Sequence, residues 1–184
     1  AAKGRREREQ HVVHALKRSL KALGRQTAAV AKECVTTYSL QYLNHSGRFG
    51  PTEILKALRV RPQASLCLYG PPGTGKTQFV EYLATELGQR LMLRRASDLL
   101  SKWVGESEQN IAAMFDEAAN EDAILFLDEA DSMLRDRSLA QASWEVSKVN
   151  ELLQHMERFR GIFVAATNLF QGLDLAAMRR FTFK

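Results

Sequence analysis

The chain has 184 residues, of which 45% are hydrophobic, and a formal net charge of +5 at pH 7. That suits one α/β domain with an appendage, and no uninterrupted apolar run approaches the roughly 20 residues that a membrane span requires. Two cysteines, Cys34 and Cys67, supply neither a disulfide framework nor a metal-ligand spacing. With no secretory signal visible after Ala1, a reducing, cytoplasmic setting is the expectation.

The charge is unevenly spread. Residues 1–61 carry 13 Lys/Arg against 4 Asp/Glu, whereas residues 62–184 carry 13 against 17. In the basic segment, Val12, Leu16, Leu20, Leu23 and Val30 recur at helical spacing and predict helix within 5–35, weakened at Gly24. Tyr38 to Arg61 contains Asn44-His45-Ser46-Gly47 and Gly50-Pro51 and reads as linker and turn. The expected division is therefore a basic helical segment and linker at 1–61, followed by a nucleotide-binding unit at 62–184. Beyond Arg61 the pattern alternates. Strand-like apolar runs fall at 66–69, 91–93, 123–127 and 162–166, with helix-like runs at 76–87, 106–119 and 144–158. Continuous apolar strands separated by helices indicate a parallel sheet covered on both faces. Cys67, inside the first run, reads as a small buried residue.

Directly after the first strand, Gly70-Pro71-Pro72-Gly73-Thr74-Gly75-Lys76-Thr77 fits G-x-x-x-x-G-K-[ST] at every fixed position. Glycines let successive backbone N–H groups curl around an anion, and the helix opened by Lys76, Thr77 and Gln78 adds partial positive charge. Lys76 can reach outer phosphates, and the Thr77 hydroxyl is suited to Mg²⁺. The eight-residue fit, with a strand-like run before it and a helix-like run after it, weighs against a chance Gly/Pro turn. Nucleoside triphosphate binding by Gly70 to Gln78 is the expectation.

The third strand ends in Asp128-Glu129. Acids at the carboxyl end of a parallel strand stand where ligands bind in open α/β sheets. Asp128 is the natural second partner of Mg²⁺, which frees Glu129 to orient and deprotonate an attacking water. Strand ends often carry acids for no such reason, so the phosphate loop is what gives this pair its meaning. The fourth strand ends in Thr167-Asn168, and Asn168 can reach the terminal phosphate or the water.

Together these motifs resemble the AAA+ ATPases, within them the AAA branch that includes katanin, spastin and the vacuolar-sorting ATPase. The resemblance covers about residues 62–184. It is carried by Gly70–Thr77, Ile124–Glu129, Ala165–Asn168, the stretch Ser101-Lys102-Trp103-Val104-Gly105-Glu106-Ser107-Glu108, and Leu173-Asp174 through Met178-Arg179-Arg180-Phe181. It implies a P-loop NTPase fold with a five-stranded parallel sheet, ATP and Mg²⁺ as ligands, and a homo-oligomer, by analogy a hexameric ring. Lys102, Trp103 and Val104 then match a pore loop whose indole grips an extended polypeptide. Arg179 and Arg180 stand where the family carries arginine fingers that complete a neighbour's site. Family members continue past the position of Lys184 into a helical lid, which the resemblance implies this chain lacks. One departure is Met156-Glu157-Arg158-Phe159, where Asp-Gly-Phe is common. The tetrad Asp128-Glu129-Ala130-Asp131 also spells a helicase motif, but the pore-loop, Asn168 and arginine-pair matches favour AAA+ and make that spelling a coincidence.

The function so implied is an ATP-hydrolysing motor that threads or remodels protein substrates through a ring pore. Two alternatives are a nucleic-acid motor or loader, motivated by the basic segment, and an ATP-switched scaffold. The basic segment lacks aromatic interleaving before Tyr38 and Tyr42, and a solvated helix face explains it as well. An intact Lys76, Glu129 and Asn168 set argues against a dead enzyme.

Overall fold

An apolar run with no polar alternation becomes a stable strand only when both of its faces are covered. The computed structural model describes residues 40, 43, 45, 47–100, 105–135, 143–168 and 173–184. The predicted helix within 5–35 and the Lys102–Val104 loop lie outside these residues. In chain order the elements are α1 (Pro51–Val60), β1 (Ala64–Tyr69), α2 (Lys76–Leu87), β2 (Leu91–Arg95), the short α3 (Ala96–Leu99), α4 (Glu106–Asn120), β3 (Ile124–Asp128), a 3-10 turn (Ala130–Ser132), α5 (Ser143–Arg158), β4 (Ile162–Thr167) and α6 (Leu175–Arg180). All neighbouring strands pair in parallel, in the order β1-β4-β3-β2.

The sheet has four strands among the described residues where the resemblance implies five. The fifth lane, on the free side of β1, holds a single parallel bridge between Leu66 and Phe183. The Cys67 N–H donates to the Phe183 carbonyl at 2.9 Å and the Phe183 N–H to the Ser65 carbonyl at 3.1 Å. One bridged residue is too short a pairing to make a strand.

Side chains alternate across the sheet with period two. On β3, Ile124 and Phe126 enter one core while Leu125 and Leu127 enter the other, and all four are fully buried. The first core adds Leu66, Ile162 and Val164 to Leu55 and Leu58 of α1 and Phe79, Val80 and Leu83 of α2. The second packs Cys67, Met92 and Phe163 against Ile111, Met114 and Phe115 of α4 and Leu152, Leu153 and Met156 of α5. Phe163 links its layers through ring contacts of 5.4 Å to Phe115 and 6.3 Å to Phe181.

Helix α1 corrects the reading of 38–61 as linker and turn. Gly50-Pro51 spells a turn, yet Pro is also favoured at the first helical position, where a missing N–H costs no bond. The Glu53 carboxylate accepts the Gly50 N–H at 2.8 Å, one half of a capping box. Ile54, Leu55 and Leu58 then form a buried stripe against the sheet.

Candidate nucleotide site

The strand register brings three carboxyl ends to one edge. Tyr69 of β1 is level with Thr167 of β4, and Leu127 of β3 with Ala165 of β4. The loop from Gly70, the pair Asp128-Glu129 and Asn168 therefore leave the sheet side by side.

Gly73 and Gly75 hold φ of 78° and 85°, a left-handed backbone that glycine adopts without the steric cost of a Cβ. Gly75 is also the N-cap of α2, so the loop turns onto a helix start whose free N–H groups favour an anion. Lys76 is the next residue. Its Nζ donates to the Gly70 carbonyl at 2.7 Å, the Pro71 carbonyl at 3.0 Å and Asn168 Oδ1 at 3.0 Å. These three acceptors are neutral, and an ammonium binds anionic phosphate oxygens more strongly than neutral ones.

At the end of β3, Asp128 is half-buried and accepts the Glu129 N–H on Oδ1 at 2.9 Å. Glu129 is exposed and sits at φ 55°, ψ 39°, a conformation uncommon for residues with a Cβ. Strain of this kind costs on the order of 1–3 kcal/mol and concentrates at functional sites.

A cavity of about 520 Å³ adjoins the loop. Gly70, Pro71, Thr74, Gly75, Lys76 and Asn168 line it; Pro72, Gly73, Thr77, Gln78, Asp128 and Glu129 do not. Its remaining wall includes Leu43, His45, Phe49, Ile54 and Phe183, with Phe49 and Phe183 edge-to-face at 5.5 Å. No spacing in the sequence marks these wall residues, because they come from separate segments. Arg179 and Arg180 stand apart from the cavity, on α6. There the Asp174 carboxylate caps the helix, accepting the Ala176 and Ala177 N–H groups at 2.8 and 3.0 Å. The structure also separates the two arginines. Arg180 donates to Glu157 Oε1 at 2.5 Å and to the Ala176 carbonyl at 3.0 Å, whereas Arg179 is exposed.

Asp131 is the residue that the sequence motifs do not single out. One of its carboxylate oxygens accepts both the Thr167 hydroxyl and, at 3.2 Å, the Asn168 N–H. The last letter of the Asp-Glu-Ala-Asp spelling was the available signal.

Cys67 lies behind the loop in β1, and burial pushes its thiol up to about 12; Lys184 opposes this and Asp131 adds to it. The unfolded thiol loses its proton near its ordinary 9.0 while the folded one keeps it to about 12. The unfolded state therefore holds fewer protons in that window, and stability falls as pH rises through it. Maleimide labelling of Cys67 at neutral pH is expected to proceed only after denaturation. Labelling of Cys67 in the native Cys34→Ser protein at the rate of a free thiol would contradict this.

An ammonium shared between a glycine-rich loop and the asparagine of the adjacent strand, next to a strand that ends in two acids, defines a P-loop NTPase. The family model described as "ATPase family associated with various cellular activities (AAA)" matches residues 66–184, and the chain belongs to that family. It is 37% identical over 137 residues to Tat-binding homolog 7 of Caenorhabditis elegans, a match that takes in 69% of this chain and 11% of that relative. The matched region is thus about a tenth of the relative's length. Among the described residues, no helix is long and apolar enough to cross a membrane.

Proposed function

We propose that residues 62–184 are the ATP-hydrolysing core of a ring-forming AAA motor that pulls protein segments through its pore. The observation that carries the ATPase part is the position of Lys76, shared between the phosphate loop and Asn168 at the edge where Glu129 also emerges. On this reading Gly70 to Gln78 hold the triphosphate, and the cavity wall of Leu43, Phe49, Ile54 and Phe183 receives the base. Thr77 and Asp128, hard oxygen donors at the starts and ends of adjacent elements, suit Mg²⁺, which when bound supplies positive charge against the phosphate oxygens. Glu129 orients and deprotonates the water, Asn168 holds it or the terminal phosphate, and an arginine of α6 reaches into a neighbouring subunit's site.

The motor part rests on Lys102-Trp103-Val104, whose indole offers wide apolar contact at low entropic cost. In assembled protein, Trp103→Ala is expected to abolish unfolding of a tagged substrate. A Trp103→Ala ring that hydrolyses ATP and still remodels that substrate would defeat the threading reading. Turnover stimulated by DNA or RNA in the same variant would replace it with the nucleic-acid reading, which the 13 Lys/Arg of residues 1–61 motivate.

A further inference from the structure

We propose that Asp131 is a positioning residue for hydrolysis, holding Asn168 in its working place from the same short turn that carries Glu129; this rests on the ATPase reading above. The strand ladder does only part of this work. Pairing of β4 with β3 stops at Ala165 and with β1 at Thr167. Asn168 lies one residue beyond, exposed, at the point where its Oδ1 accepts from Lys76 Nζ. The Gly70 N–H holds the carbonyl side of the Thr167–Asn168 peptide at 3.2 Å, and the Asp131 carboxylate holds the other side, accepting the Asn168 N–H at 3.2 Å and also the hydroxyl of the fully buried Thr167.

Two features make this more than a structural tie. A side-chain carbonyl-type oxygen has two lone pairs and can accept two donors, so a single oxygen fixes both groups. Asp131 also belongs to the 3-10 turn Ala130–Ser132, for which Glu129, in its left-handed conformation, is the N-cap. The turn therefore sets the water-activating carboxylate and the phosphate-facing asparagine relative to each other. Displacing a reacting group by about 1 Å can cost about 100-fold in rate.

The test uses the intact assembled protein and measures kcat, KM and equilibrium binding of a fluorescent ATP analogue. Asp131→Ala is expected to lower kcat by about 10–100-fold with ATP affinity changed less than about threefold, the pattern of an interaction that matters in the transition state. Asp131→Asn keeps an acceptor oxygen in the same place and is expected to hold kcat within about threefold of the parent. In the Asn168→Ala background, Asp131→Ala should cost no further rate, since residues acting as a unit are non-additive.

Wild-type kcat in Asp131→Ala would overturn the proposal. So would an Asp131→Asn variant as impaired as Asp131→Ala, which would make charge and not bonding the cause, or losses that add in the double variant. Should Asp131→Ala not fold, Thr167→Val removes one of the two bonds within a strand suited to Val. A selective fall in kcat is expected there too, and an unchanged kcat would count against the proposal. Absence of ATP turnover in the parent protein, or its survival in Lys76→Ala, would instead remove the ATPase reading itself.

Discussion

Glu129→Gln is expected to reduce ATP turnover by about 10²–10⁴-fold, the contribution of a positioned general base, while leaving nucleotide binding intact. The two effects separate because Glu129 is exposed at the end of β3 and is not part of the cavity wall. Loop 70–77 and the Lys76 contacts do not depend on it. Gln keeps the size and hydrogen-bonding reach of Glu but is far too weak a base to take a proton from water. Phosphate release and binding of a fluorescent ATP analogue measure the two quantities. Turnover within threefold of the parent would show that another group activates the water. A proportionate loss of affinity would place Glu129 in ground-state binding.

Arg179→Ala is expected to produce the largest loss, on the order of 10³–10⁵ in turnover, because an arginine finger neutralises charge that develops only in the transition state. Arg180→Ala should cost much less. The Arg180 guanidinium is held by Glu157 at 2.5 Å and by the Ala176 carbonyl at 3.0 Å, contacts it would have to leave to serve a neighbour. Arg179 is exposed on a helix whose two ends are fixed. Asp174 caps the start, and Ser65 Oγ donates to the Arg180 carbonyl at 2.7 Å at the end. Mixing decides whether the arginine acts between subunits. Inactive Arg179→Ala subunits combined with inactive Glu129→Gln subunits should recover activity, since each lends what the other lacks. No recovery, or a greater loss from Arg180→Ala, would refute the assignment.

Local chemistry made much of this molecule readable. Helix α2 spans Lys76–Leu87, the run that periodicity indicates, because Gly75 and Gly88 bracket it in left-handed conformations. The four apolar runs became the four strands, three of them extended by a residue or two and the third in chain order shifted by one, from 123–127 to Ile124–Asp128. Where a local signal had two meanings, reading failed. Gly50-Pro51 announces a turn and also a helix start, and burial of Ile54, Leu55 and Leu58 chose the helix.

The sequence by itself determined the class of chemistry. A phosphate loop, a pair of acids and an asparagine, each at the end of an apolar run, are short-range patterns that need no partner to be recognised. Which of them meet was decided by the tertiary structure. Lys76 and Asn168 are 92 residues apart, and Asp131 and Thr167 are 36 apart. They touch because β4 inserts between β1 and β3, and strand order is set by packing two helical layers onto one sheet. No local periodicity records that order. Neither does it record that Glu157 takes one arginine of the pair and leaves the other exposed.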